Sequence, residues 1–445
     1  MQLASSIIRK RINVLAVLFI GFSSMVEAQD LNSPYSRYGL GDILPSQNIL
    51  TRGMGGIGTA YYDYRSVNFL NPAAYSNLQT VTLDIGIEVD NLTIKSLNPV
   101  AKYSNASPQI SYLTLGLPLI KRKNFQTGGK EPMLGLAFGL RPMTKISYQI
   151  QRVTQFNGTT GSDSIATLFQ GQGGTQQVFA GLGLKLKNFS IGANAGYLFG
   201  SKDYSTRTVF LLDTVTYQKS NHQTTSNFNG FFFNAGAQYT IQFNKKTFLR
   251  LGVQGNWQQD VKATNNYIVE TFDYDPNGGP FRIDSVYGKD DGNGTVTLPA
   301  SYSAGIILDN QGKWSIGIDY NIAKWSQYRY FNETDQVQDS WDVRLGGQIF
   351  PTSGKSYWSN VAYRAGVSYG EDYVNVGNVM PKWSVSFGAG LPLRNVPYTN
   401  QSTIINTSFE IGRRGNDKNP VQENFFRVAV GLSMSDIWFI KRKYD

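Results

Sequence analysis

From Val81 onward the chain alternates. Val81, Leu83, Ile85, Ile87 and Val89 are separated by Thr82, Asp84, Gly86, Glu88 and Asp90. Successive side chains of a strand point to opposite faces, so this segment carries one apolar face and one polar face. The pattern returns at Leu134, Leu136, Phe138 and Leu140, at Leu182, Leu184 and Leu186, and at Ile316, Ile318, Tyr320 and Ile322. It closes with Val385, Phe387, Ala389, Leu391 and Leu393, then Phe426, Val428, Val430, Leu432 and Met434. Helical periodicity is weak, and beyond the first thirty residues no run of 18 apolar residues occurs. The reading is all-β. A soluble sandwich also alternates, but strand length, export and loop spacing favour a transmembrane antiparallel β-barrel with its apolar face toward lipid.

The connections alternate as well. Brief turns at Lys187-Asn188, Asn244-Lys245-Lys246 and Asp309-Asn310-Gln311-Gly312 separate alternating runs, whereas long polar excursions are expected over 154–175, 201–226, 263–294 and 413–423. Short periplasmic turns and long extracellular loops are the habit of outer-membrane barrels. Counting strands from Leu78 to a last one starting near Asn424 gives about 14, an even number that leaves both termini on the periplasmic side.

The first residues set the compartment. Arg9, Lys10 and Arg11 precede the mostly apolar stretch from Ile12 to Phe22, and Val26-Glu27-Ala28 is a small-residue cleavage site. Residues 1–28 therefore read as a signal peptide, because the apolar stretch falls well short of the roughly 20 residues a spanning helix needs. The predicted organisation is a signal peptide over 1–28, an N-terminal segment over 29–77 and an outer-membrane β-barrel over 78–445. The expected location is the cell outer membrane, with outer-membrane lipids as neighbours.

Composition excludes several chemistries. The 445 residues include no Cys and one His, which removes thiol nucleophiles, disulfides and Cys zinc sites. Formal net charge is +10, with 41 Lys and Arg against 31 Asp and Glu. Removal of the leader brings it to about +8, a balance suited to anionic envelope glycolipids. No basic run is interleaved with aromatics, so nucleic acid is not an expected partner.

The segment over 29–77 breaks the alternation. It contains Thr51-Arg52-Gly53-Met54-Gly55-Gly56-Ile57-Gly58-Thr59-Ala60 and then Asn68-Phe69-Leu70-Asn71-Pro72-Ala73-Ala74. No Gly-Lys-Ser/Thr ending follows the glycines, so a phosphate loop is not supported. A compact plug in the lumen fits better, since Gly allows close backbone packing and Pro72 fixes a turn. Arg52-Gly53-Met54-Gly55-Gly56 and Asn71-Pro72-Ala73-Ala74 resemble the N-terminal hatch of the FadL/TodX (OMPP1) family of outer-membrane barrels. Leu298-Pro299-Ala300-Ser301-Tyr302, Lys313-Trp314-Ser315-Ile316-Gly317 and Tyr363-Arg364-Ala365-Gly366 resemble that family's later strands. The resemblance implies 14 strands, a luminal hatch, and hatch or gating roles for Arg52, Gly53, Gly55, Gly56, Asn71, Pro72 and Ala73. The opening Ser33-Pro34-Tyr35-Ser36-Arg37-Tyr38-Gly39 and the ending Trp438-Phe439-Ile440-Lys441-Arg442-Lys443 look like a variant branch. Some relatives of this kind serve as non-transporting subunits of secretion machines.

Other chemistry is sparse. His222 is expected in a solvated loop. Asp273, Asp275, Asn277 and Asp284 have calcium-loop spacing with Gly278 at the turn, although Pro276 and Pro280 are unusual there and an Asx turn explains the same residues. Asp290-Asp291 are adjacent on a Gly-rich stretch and form no catalytic pair, and no nucleophile elbow accompanies the single His. The Lys441-Arg442-Lys443 tail reads as a solvated strand end. No enzyme activity, cofactor or dedicated metal site is predicted. Two functions remain open: passage of a hydrophobic compound such as a long-chain fatty acid through a hatch-gated lumen, or a plugged barrel serving as accessory subunit of an outer-membrane protein secretion or assembly machine. The partner is then a hydrophobic ligand or other outer-membrane machinery proteins.

Overall fold

The computed structural model describes residues 33–97, 100–120, 132–158, 161–211, 218–310, 312–351, 356–393 and 401–436. The expected signal peptide and the basic tail fall outside them. Before the barrel come a two-residue strand β1 (Asp42–Ile43), a single helical turn α1 (Ile49–Arg52) and a 3₁₀ segment over Pro72–Asn77. The strands that follow are β2 (Val81–Leu97), β3 (Val100–Ile120), β4 (Met133–Gly158), β5 (Gly161–Leu186), β6 (Phe189–Phe210) and β7 (Lys219–Gln242). Next come β8 (Thr247–Asn256), β9 (Gln259–Tyr274), β10 (Pro280–Leu298), β11 (Ser301–Asn310) and β12 (Trp314–Ala323). The chain ends with β13 (Arg329–Tyr330), β14 (Ser340–Ile349), β15 (Ala362–Glu371), β16 (Pro381–Pro392), β17 (Ser402–Arg414) and β18 (Val421–Asp436).

All these strands form one antiparallel sheet that closes on itself. β18 pairs with β2 from Asp436↔Val81 to Val421↔Ser96. β7 pairs with β8 along its lower part and with β9 along its upper part, so β8 and β9 are one stave broken at Trp257-Gln258. β10 and β11 are likewise one stave, broken at Pro299-Ala300 where Pro can give no ladder donor. With β1 and β13 outside the ring, 14 staves remain, as the alternation predicted. Away from the β3–β4 seam, closure satisfies the strand backbone without an edge, a condition for crossing hydrocarbon.

Burial runs opposite to that of a soluble sandwich. Ile87, Phe138, Leu182, Ile306, Phe387 and Phe409 are exposed, whereas Asp84, Glu88, Asn194, Gln238 and Asn406 are buried on the inner face. An apolar belt of this kind is stable in lipid, and the protein is an outer-membrane β-barrel. No helix among the described residues is long and apolar enough to cross a membrane.

Among the described residues, the long loops expected over 154–175, 201–226 and 263–294 are mostly strand. β4 and β5 have 26 residues each and stay paired up to Gly158↔Gly161. β6 and β7 pair up to Thr208↔Ser220, and β9 and β10 up to Tyr274↔Pro280. About 10 residues cross a bilayer as a tilted strand, so these hairpins rise well beyond it. There the outer face meets water instead of lipid, the apolar alternation stops, and the pattern that reveals a strand disappears. Only the last excursion shrinks to a true loop, over 415–420.

Among the described residues the ring parts between β3 and β4. The β3–β4 ladder starts at Ile120↔Leu134 and stops at Leu113↔Leu140. Above it β3 keeps pairing with β2, and β4 with β5. Both strands are bulged at this height: Ser111 has no partner between Ile110↔Ile87 and Tyr112↔Gly86, and Met143 has none between Pro142↔Gln176 and Thr144↔Thr175. A bulge bends its strand, and Pro142 offers no N–H, so the two staves part. The freed edge of β4 takes β1 instead, with Asp42↔Lys145 and Ile43↔Thr144 in register. Ser33 N–H extends this contact by donating to the Ser147 carbonyl at 2.9 Å.

Candidate functional site

The glycines of the inner face decide where the N-terminal segment lies. A Cβ at Gly135 of β4 would stand 1.8 Å from the Tyr75 carbonyl oxygen, and one at Gly192 of β6 would stand 2.4 Å from the Pro72 carbonyl carbon. The 3₁₀ turn at Pro72–Asn77 thus rests directly on wall backbone, which only Gly permits. Asn71 caps this turn by accepting Ala73 N–H at 3.1 Å. Its amide donates to the Thr59 carbonyl at 2.7 Å and to the Val253 carbonyl of β8 at 3.2 Å. Ala73 is fully buried.

Arg52, Gly53, Gly55 and Gly56 lean on the opposite staves. Gly55 has φ 69°, in the left-handed region, and its N–H donates to Ser386 Oγ of β16 at 2.8 Å. The Gly56 carbonyl accepts from Arg344 Nη1 of β14 at 3.3 Å. Gly53 faces Gly388 of β16. The seven residues therefore form two patches on two sides of the lumen, not one site. A third anchor was not foreseen: Asp319 of β12 accepts the N–H groups of Gly58 at 2.7 Å and Thr59 at 2.8 Å. Its signal in the sequence was an acid on the polar side of an alternating strand.

Arg52 is the electrostatic centre. Its guanidinium donates to Glu88 of β2 and lies 3.6 Å from Glu410 of β17. Arg427 of β18 shares Glu410, lying 3.8 Å from it, and donates to Asp90 at 2.9 Å. Burial disfavours the Arg52 charge, but the carboxylates of Glu88 and Glu410 outweigh it and raise its pKa above the ordinary value. Nearer the outer rim, Arg414 donates to Asp42 at 2.6 Å, to Asp372 at 2.8 Å and to Glu423 at 3.2 Å. Ser33 Oγ donates to Glu423 at 2.7 Å, and Tyr35 Oη to the Val421 carbonyl at 2.6 Å. Burial pushes the Tyr35 phenol up to about 12.

Between these clusters lies a cavity of about 250 Å³ lined by Arg52, Asp90, Glu410, Arg414, Glu423 and Arg427, among others. Elsewhere the N-terminal segment packs against the wall. Ile49, Val67, Phe69, Tyr75 and Leu78 form one apolar cluster with the wall residues Tyr112 and Phe179. Leu50, Met54, Ile57, Ala60 and Tyr61 form another with Ile307.

The candidate chemistry outside the lumen resolves into structure. His222 lies in β7, not a loop, with Nδ1 2.8 Å from Tyr267 Oη. Asp273 is bonded to Lys219 at 2.6 Å, while Asp275 accepts the N–H groups of Asn277 at 2.9 Å and Gly279 at 2.8 Å. Asp284 lies within β10 opposite Thr271. The calcium-like spacing is thus a hairpin tip closed by an Asx turn. Asp290 and Asp291 fall at the bulge of β10 between Lys289 and Gly292. Among the described residues no group of three or more His, Asp or Glu is placed to hold a metal ion.

The BamG family model matches residues 7–445. The chain belongs to the BamG family. Among solved structures, this BamG protein is similar to a Pseudomonas aeruginosa FadL homologue, with 13% identity over 90% of this chain and 100% of that one and a TM-score of 0.54. It is also similar to the CymD monoaromatic hydrocarbon channel, at 17% identity over 90% and 99% with a TM-score of 0.51. The Ralstonia pickettii toluene transporter TbuX matches at 14% over 88% and 99%, with a TM-score of 0.51. At these identities the likeness is one of fold, and the FadL/TodX resemblance read from the sequence holds at that level. No curated protein matches the sequence.

Proposed function

We propose that this barrel is a plugged, non-conducting accessory subunit of an outer-membrane protein assembly or secretion machine, with residues 29–77 as a fixed hatch and residues 1–28 removed on export. One observation carries the reading: a core braced to the wall occupies the lumen, and the cavity beside it presents the charged side chains of Arg52, Asp90, Glu410, Arg414, Glu423 and Arg427. A channel for hydrophobic compounds needs a mostly apolar pocket with few polar anchors. Here Arg414 alone meets three carboxylates, Asp42, Asp372 and Glu423, an environment hostile to the carboxylate of a fatty acid. Membership in the BamG family accords with this role. The long extracellular hairpins then supply surface for partners, and Arg52, Gly53, Gly55, Gly56, Asn71, Pro72 and Ala73 hold the hatch shut.

A second reading, passage of a hydrophobic compound, draws on the likeness to hydrocarbon channels and on the β3–β4 seam, which offers a way through the wall. One experiment separates the two. The tagged protein is isolated from native membranes in mild detergent, and protein stoichiometry and bound lipid are measured on the same sample. Stoichiometric outer-membrane proteins with no enriched ligand support the subunit. A lone barrel enriched in one hydrophobic compound overturns it in favour of transport.

A further inference from the structure

The lipid-facing wall carries a groove that the luminal reading does not use. It has a volume of about 470 Å³ and crosses β7, β8, β11 and β12, with Phe189 of β6 at its edge. Its floor follows from two small residues. Ala237 and Ala304 both stand opposite Val253 in the ladder, so two of three neighbouring outward positions end at a methyl group. Two residues closer to the periplasmic end, Tyr239 and Ile306 project on either side of the floor, and Tyr320 stands opposite Ala304. The lining is apolar and aromatic, as an acyl chain requires.

A second, independent feature lies directly below. The strands lining the groove end in three periplasmic turns, and each turn bears lysine: Lys187 between β5 and β6, Lys245 and Lys246 between β7 and β8, and Lys313 between β11 and β12. β6 adjoins β7, and β8 adjoins β11, so the three turns are consecutive around the rim. All four lysines are exposed, and none makes an ion pair among the described residues. Asp309, at the end of β11, turns inward and is bound to Arg250 at 2.5 Å. Four cations without an ion pair among the described residues thus stand at headgroup depth beneath an apolar groove.

We infer that this surface holds an anionic phospholipid of the periplasmic leaflet, with an acyl chain in the Ala237–Ala304 groove and its phosphate over Lys187, Lys245, Lys246 and Lys313. Charge complementarity selects an anionic headgroup over a zwitterionic one. The apolar depth distinguishes the site from adhesion to lysines alone.

The test is native mass spectrometry of the delipidated full barrel, titrated with phosphatidylglycerol or with phosphatidylcholine of the same acyl chains. Wild-type protein should retain phosphatidylglycerol at least tenfold better. Substitution Lys245→Gln with Lys246→Gln should weaken phosphatidylglycerol by roughly fivefold per lysine and leave phosphatidylcholine unchanged. Ala304→Phe fills the groove from the lipid side and should weaken both lipids, and Ala237→Phe repeats the test at a second position. Equal retention of the two lipids by wild-type protein overturns the proposal. So does unchanged binding in both Phe variants, which would mean adhesion to the lysines alone.

Discussion

Arg52, in the single turn of α1, donates to Glu88 on the barrel wall, and the two side chains are only 4% and 2% exposed. A buried ion pair of this kind stabilises little relative to an apolar pair, but it is costly to break from one side, because the remaining charge has no water to return to. Glu88→Ala should therefore destabilise the barrel by about 3–5 kcal/mol. The double change Arg52→Met with Glu88→Leu should recover most of the loss. Urea unfolding in detergent, followed by tryptophan fluorescence, reads both variants. An additive double mutant would show that the pair is not coupled.

Asn71 joins the N-terminal segment to β7, through the Ala237 carbonyl, and to β8, through the Val253 carbonyl, and caps its own turn. Asn71→Ala removes the cap and leaves the Thr59 and Val253 carbonyls without this donor. Loss of the cap alone costs about 0.5–2 kcal/mol. Hydrogen exchange at residues 71–77 should quicken accordingly, while β12 to β18 keep their protection. Uniform deprotection of the barrel would instead place Asn71 in its global stability.

Gly192 permits contact that no other residue allows. A Cβ there would come within 2.4 Å of the Pro72 carbonyl carbon, so Gly192→Val should displace the Pro72–Asn77 turn from the wall. The expected result is new protease cleavage within residues 60–80 of a barrel that still migrates as folded in unheated gels.

The seam between β3 and β4 offers a direct test, because the chain contains no Cys and an engineered pair is unambiguous. Ile43 and Thr144 are register partners, and directly opposed residues of an antiparallel pair lie close enough for a disulfide. The Ile43→Cys/Thr144→Cys variant should oxidise in air and migrate differently with and without reductant. Failure to oxidise would mean that β1 does not rest on the β4 edge.

Calcium should not bind at the β9–β10 hairpin. Asp273 is occupied by Lys219 and Asp275 by two amides of its own turn. Calorimetry of the purified barrel should show no heat at millimolar calcium. A saturating exotherm lost in Asp275→Asn would reverse this assignment.

Alternation from Val81 to Met434 determined the barrel, its 14 staves and the direction of its faces, because a strand with lipid on one side writes a period of two into its residues. The Gly-rich stretch and Asn71-Pro72-Ala73 marked the segment that departs from that pattern. Where the sequence fell silent, the physics had changed. Beyond the bilayer, strands such as the upper parts of β5 and β10 have water instead of lipid on the outer face and lose the period, so they read as loops. The anchors Asp319, Glu410 and Arg427 looked like ordinary polar positions, since a charge on an inner face does not say which charge it will meet. Only the closed ring brings Glu88 and Glu410 from two strands onto one arginine of the N-terminal segment, with Arg427 of a third beside Glu410, and sets Ala237 and Ala304 on either side of Val253 on the lipid face. Those meetings depend on register between strands far apart in the chain, a property of the ladder rather than of any one segment.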